Sequence, residues 1–218
     1  MDEMEFLKKL VLAPYMLKAT ALIGKQRKVG GNQFRHSFSV LGILFDYKYF
    51  SDGVLLKAAL LHDLLEELPE TQLSEIRKID EDGPQVVELV LEVTQVSGEE
   101  KYNYLQRVLE KGSVNAKTLK CADRISNLTD LHRDTFTDMK IADYLKQTEI
   151  YILPMARQVN QHMVIELTDL IKIRRQLIEK KTEMPIQKQH KLQDTFRMVG
   201  DFVKTHAFIG QHQNPKKS

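Results

Sequence analysis

The sequence predicts an all-α fold, a single helical bundle of the kind that buries one core. Apolar residues recur at three- and four-residue spacing through most of the 218 residues, few stretches alternate as strands do, and glycine and proline fall between the periodic stretches. Helices are expected over 4–23, 35–48, 52–67, 71–79, 84–97, 100–111, 115–132, 138–158, 160–180 and 188–207. Gly30-Gly31-Asn32 forms the most flexible-looking loop, ahead of the second helix. Ser51 and Asp52 are placed to cap the third, with Gly53 in its first turn. Asp82-Gly83-Pro84, Ser97-Gly98 and Pro185 mark later breaks.

Length and composition bound the rest. A chain of 218 residues holds one domain with a sizeable core, expected over 1–210, with a flexible basic tail at 211–218. Hydrophobic residues at 42% and charged residues at 28% describe a globular protein and exclude a disordered or fibrous one. A formal net charge of +2 makes no electrostatic case for a nucleic-acid polymer but leaves room for a small anionic ligand. The single cysteine, Cys121, excludes an intramolecular disulfide and reads as a small core residue. An acidic start, Met1-Asp2-Glu3-Met4-Glu5, and no apolar run of membrane-spanning length lead to an expectation of a cytoplasmic protein with no membrane partner.

Two helices point to function. The one from Asp52 to Leu68 is apolar almost all the way round, so it should be buried, yet its last turns carry His62, Asp63, Glu66 and Glu67. Buried without partners, such groups cost about several kcal/mol each, and a metal ion is an economical explanation. In the helix around Leu119, the polar Lys120, Asp123 and Asn127 share one face at spacings of three and four. That face can meet the first one.

His62 and Asp63 diverge by about 100° around a helix and can still reach one ion between them. His36 and Asp123 complete a set of two imidazoles and two carboxylates. Mixed nitrogen and oxygen ligation without thiolate favours manganese, with ferrous iron or zinc as alternatives. Glu66 and Glu67, one turn beyond His62 and Asp63, are the candidate catalytic carboxylates that orient or deprotonate a water. Arg27 and Lys28 are the candidate cations for phosphoryl oxygens. The plainer alternative makes the glutamates a solvated acidic face and the two basic residues a solvated loop. His132, His162, His190, His206 and His212 lack comparable neighbours and receive no role.

The sequence resembles the HD-domain phosphohydrolases, whose pattern is a His, a His-Asp pair and a distant Asp. More narrowly it is similar to the hydrolase domain of the RelA/SpoT proteins and to the small alarmone hydrolases. The residues that carry this are Arg27-Lys28-Val29-Gly30, Phe34-Arg35-His36, Ala58-Ala59-Leu60-Leu61-His62-Asp63-Leu64-Leu65-Glu66-Glu67, and Leu119-Lys120-Cys121-Ala122-Asp123-Arg124-Ile125-Ser126-Asn127-Leu128. The resemblance implies an HD-type helical bundle that uses manganese to remove pyrophosphate from the 3′ position of guanosine tetra- or pentaphosphate, leaving GDP or GTP. It implies His36, His62, Asp63 and Asp123 as metal ligands and Glu66 and Glu67 as the pair that assists the water. It further implies Arg27, Lys28, Asn127 and Tyr144 as nucleotide contacts.

Departures from the pattern are specific. Glu67 stands for the usual Asp, Gln33-Phe34 for Pro-Tyr, and Ser37 for Pro. Asp130 stands where Thr is expected beside the nucleotide, and a carboxylate there would repel phosphate or accept hydrogen bonds from a different base or sugar. The expected partner is therefore a small nucleotide. The alternatives are an HD phosphohydrolase of another nucleotide phosphate ester, or an inactive nucleotide-binding module.

Overall fold

A computed structural model describes residues 3–130 and 136–183. The expected helix over 188–207, the tail, and His132, His190, His206 and His212 lie outside the described residues. Residues through Arg174 form one compact helical unit, and a second unit begins at Arg175. Among the described residues there is no strand, only a bridge between Gln26 and Asn32. None of their helices is long and apolar enough to cross a membrane.

The helices are α1 (Glu3–Lys9), α2 (Ala13–Ala19), α3 (Gln33–Asp46), α4 (Gly53–Leu61), α5 (Leu64–Glu67), α6 (Leu73–Arg77), α7 (Gly83–Val93), α8 (Lys101–Lys111), α9 (Val114–Asp130), α10 (Asp138–Gln147), α11 (Leu153–Val159) and α12 (Gln161–Glu183). Three expected helices are broken or distorted. The stretch over 4–23 divides into α1, α2 and a 3₁₀ turn at Thr20–Gly24, because Pro14 opens α2 and cannot continue a preceding helix. The stretch over 52–67 breaks at His62 and Asp63, where the Asp63 ψ of −3° departs from helical values and α5 begins anew. The stretch over 138–158 runs on through Pro154, but a π-helical turn at Thr148–Ile152 precedes it. Widening the turn removes the clash between the proline ring and the carbonyl four residues back.

Caps explain several starts. Asn32 accepts from the Arg35 amide and Asp52 from the Leu55 amide, each at 2.9 Å, while Thr137 caps α10 through the Lys140 amide. Each satisfies a donor that the first helical turn leaves unpaired. Gly83 opens α7 against α6; a Cβ there would lie 2.6 Å from the Ile76 carbonyl oxygen, so only glycine allows that approach.

The core sits around α4. Every residue from Leu55 to Leu61 is buried, as the all-round apolar pattern predicts, and α2, α3, α7 and α9 pack against it. Lys57 is the exception in kind. Its ammonium lies 2.7 Å from Asp80 and 2.6 Å from Asp82 and 5.3 Å from the Tyr15 ring centroid, while the Tyr15 hydroxyl donates to Asp80 at 2.6 Å. This packing brings the start of α3, the end of α4 and the middle of α9 to one place.

Candidate metal and nucleotide site

α3 and α9 pack side by side across the end of α4, and their polar residues converge on His62. The His36 Nε2 lies 3.1 Å from Asp123 Oδ1 and 3.7 Å from Asp63 Oδ2. The His62 Nε2 lies 3.3 Å from Asp63 Oδ1 and 3.9 Å from Asp123 Oδ1. The two rings meet edge to face at 5.2 Å between centroids. Ligand-type atoms of His36, His62 and Asp123, all buried, lie within 4.8 Å of one another, a spacing that suits donors around one cation.

Local bonding fixes the direction each ring faces. His62 Nδ1 lies 2.9 Å from the Ala59 carbonyl oxygen, which only accepts, so Nδ1 carries a proton, and in the neutral ring Nε2 is left with the lone pair. That Nε2 is buried with no hydrogen-bond partner among the described residues. Buried polar atoms are rarely left so, and a cation is the partner that a lone pair beside two carboxylates accommodates. His36 can follow the same pattern, since its Nδ1 lies 3.1 Å from Ser126 Oγ.

Asp123 is the most heavily supported member. Its Oδ2 accepts from the Lys120 ammonium at 2.7 Å and its Oδ1 from the Asn127 amide at 2.6 Å. Burial alone would raise its carboxyl, but the Lys120 ammonium holds it well below the usual range. Burial likewise pushes Lys120 down, and the Asp123 carboxylate more than reverses that, leaving the ammonium held well above its ordinary value. The Lys120 ammonium also lies 5.3 Å from the Tyr104 ring centroid. Lys120, Asp123 and Asn127 thus use the helix face that their spacing predicted.

The remaining sequence candidates fall around this cluster differently. Arg27 is brought in by the loop before α3, which turns back through Gly30 and Gly31 at φ of 86° and 74°, a region that favours glycine. Its guanidinium donates to Asn127 Oδ1 at 2.7 Å and to Asp130 Oδ2 at 3.0 Å. The Asp130 carboxylate is therefore paired with the Arg27 cation. Lys28 is exposed, with its ammonium 5.0 Å from the Phe136 ring centroid. Tyr144 is half-buried under Arg124, whose guanidinium lies 3.8 Å from the ring centroid; burial first, then the charge of Asp123, raises its hydroxyl.

Glu66 and Glu67 lie on α5, beyond the break. Glu66 is exposed and accepts from the Gln95 amide at 2.8 Å, while Glu67 is half-buried and accepts from the Gln33 side chain at 3.0 Å. The expectation of four buried acids and imidazoles along one helix is thus corrected: His62 is buried, and the three carboxylates that follow reach solvent because the helix restarts at Leu64.

Sequence reasoning gave no role to Lys120, Ser126, Gln33 or Lys101. The first two were detectable, each three residues from Asp123 on one helix. Lys101 was not. It opens α8, its ammonium lies 4.8 Å from the Tyr104 ring centroid, and burial, with Lys120 nearby, brings it down to about 8.

Residues 13–152, more than half of the chain, match the family described as the HD domain. The chain is similar to the guanosine-3′,5′-bis(diphosphate) 3′-pyrophosphohydrolase MESH1 of Drosophila melanogaster, at 36% identity over 105 residues, 47% of this chain and 57% of that protein. It thus spans little more than half the length of the fly relative. The Homo sapiens protein of the same name is 33% identical over 123 residues, 54% of this chain and 67% of that protein. A solved structure reported as "A metazoan ortholog of SpoT hydrolyzes ppGpp and plays a role in starvation responses" aligns with a TM-score of 0.66 at 26% identity, over 75% of this chain and 94% of that one.

Proposed function

The chain belongs to the HD-domain family, and from that premise we propose that it is a metal-dependent phosphohydrolase that removes pyrophosphate from the 3′ position of guanosine tetra- or pentaphosphate. The observation that carries the reading is the bare, buried His62 Nε2 between the carboxylates of Asp63 and Asp123. The relatives named for this reaction supply the substrate. His36, His62, Asp63 and Asp123 would hold the ion, and their nitrogen and oxygen donors favour manganese. Such an ion supplies acidification of water and stabilisation of charge on phosphoryl oxygens.

The chain's own residues do the rest. Glu67, steadied by Gln33, accepts a proton from the attacking water, and Glu66 on the same short helix assists. Water adds at the phosphorus joined to the 3′ oxygen, that P–O bond breaks, and the 3′ oxygen leaves with a proton. Arg27 and Asn127, joined at 2.7 Å, hold the nucleotide, with Tyr144 and Lys28 at its margins. Lys120 keeps Asp123 charged and fixed, so that this ligand needs no reorganisation.

The test is hydrolysis of guanosine tetraphosphate with manganese in the buffer, the products separated by anion exchange. GDP and pyrophosphate are expected. An untouched tetraphosphate beside rapid hydrolysis of another nucleotide would refute the alarmone substrate, and tight nucleotide binding without any turnover would refute the enzyme.

A further inference from the structure

Asp130 belongs to none of the groups assigned above, yet a continuous line of bonds runs from it into the cluster. Its Oδ2 accepts from Arg27 at 3.0 Å, both side chains being mostly shielded from solvent. Arg27 donates in turn to Asn127 Oδ1 at 2.7 Å, and Asn127 Nδ2 donates to Asp123 Oδ1 at 2.6 Å. The polarity of this line is forced. A guanidinium only donates, so it selects the amide orientation of Asn127 that turns Nδ2 toward the Asp123 carboxylate. Were Arg27 to swing away, a flipped Asn127 would set its oxygen against Asp123, acceptor against acceptor.

The end of the line is itself anchored. Arg174 on α12 donates from Nε to the Leu128 carbonyl at 2.7 Å and from a terminal nitrogen to the Thr129 carbonyl at 2.8 Å. These carbonyls belong to the last described turn of α9, the turn that carries Asp130. A side chain 45 residues away in sequence thus pins the segment from which Asp130 reaches Arg27.

We propose that Asp130 is a positioning residue: its carboxylate holds Arg27 against Asn127, and through Asn127 it sets the amide that supports the metal-ligand carboxylate of Asp123. It acts on the nucleotide through Arg27. This rests on the proposed function insofar as Arg27 contacts the nucleotide, whereas the link to Asp123 stands on the bonds alone.

The experiment is a double-mutant cycle on the full chain with Asp130→Asn, Arg27→Ala and the combination. Two quantities are read: KM and kcat for guanosine tetraphosphate, and manganese affinity by calorimetry. Asp130→Asn, which preserves shape, should raise KM roughly tenfold with kcat changed less than about threefold, as losing one charged hydrogen bond would. It should weaken manganese roughly threefold to tenfold, at or below the usual effect of an outer-shell partner. The double variant should match Arg27→Ala alone in both. Asp130→Glu, which restores the charge, should recover part of the loss. Effects that multiply in the double variant, or an Asp130→Asn protein with parental KM and manganese affinity, would overturn the proposal. If the parental protein leaves the tetraphosphate untouched, the substrate reading fails while the manganese cycle still decides the role of Asp130.

Discussion

Two charged clusters, each centred on a buried lysine, are built from the same parts and end differently. In one, Lys57 meets Asp80 and Asp82 with Tyr15 beneath its ammonium. In the other, Lys120 meets Asp123 with Tyr104 beneath its ammonium, and both ammonium groups lie 5.3 Å from their ring centroids. The first is closed: Tyr15 and the Asp82 amide both donate to Asp80. The second adds His36, His62 and Asp63 and leaves the His62 Nε2 bare. A buried lysine and carboxylate thus mark no function by themselves; the unfilled lone pair does. Closed networks hold a fold together, and open ones wait for a partner.

Breaking the open cluster should have the largest effect. His62→Ala removes the bare lone pair, so bound metal, measured by elemental analysis, and turnover should both be lost. Parental hydrolysis in that variant would mean that the two clusters differ in appearance only. Glu67→Gln comes next. It keeps the size of the side chain while removing its proton acceptor, and should lower kcat by about 10²–10³-fold with metal content unchanged. An unaltered kcat there and in Glu66→Gln would remove α5 from the chemistry.

The closed cluster should respond in stability alone. Lys57→Met leaves Asp80 and Asp82 facing each other without their cation and should cost about 2–3 kcal/mol in denaturant unfolding, below the cost of breaking a fully buried pair because both carboxylates reach solvent. Turnover per folded molecule and metal content should match the parent. The smallest effect is its acid response. Burial alone would raise the Asp80 carboxyl, but Lys57 and Tyr15 hold it below its ordinary value. Its contribution is then complete above the unfolded carboxylate value of about 3.9 and drains away as pH falls below that. Unfolding curves of the parent and of Asp80→Asn should converge as the pH is lowered; curves that stay parallel would show that Asp80 is not held below its ordinary value.

Much of this was legible in the sequence for physical reasons. An all-round apolar helix must be central, and α4 is. Lys120, Asp123 and Asn127 share a face because helix geometry leaves no other arrangement. What the sequence concealed depended on the third dimension or on single dihedrals. The break at Asp63 rests on one ψ angle, while leucines continue on both sides of it. The pairing of Asp130 with Arg27 joins residues 103 apart, so nothing near Asp130 along the chain named the counter-charge that the fold provides. Lys101 carries no motif, and nothing in its neighbourhood along the chain foretells its environment.

The distances along the chain between partners have a consequence for the order in which the molecule comes together. The bonds that tie Arg27 and His36 to α9 span from 87 to 103 residues, whereas each helix closes its own bonds over four. Loop closure over such spans is slower and is offset only when distant elements dock together. A chain with its helices formed but α9 undocked would have native circular dichroism and no site at all. Recovery of activity therefore reports arrival at the complete fold, and a lag between helix formation and activity during refolding measures the docking of α9 directly.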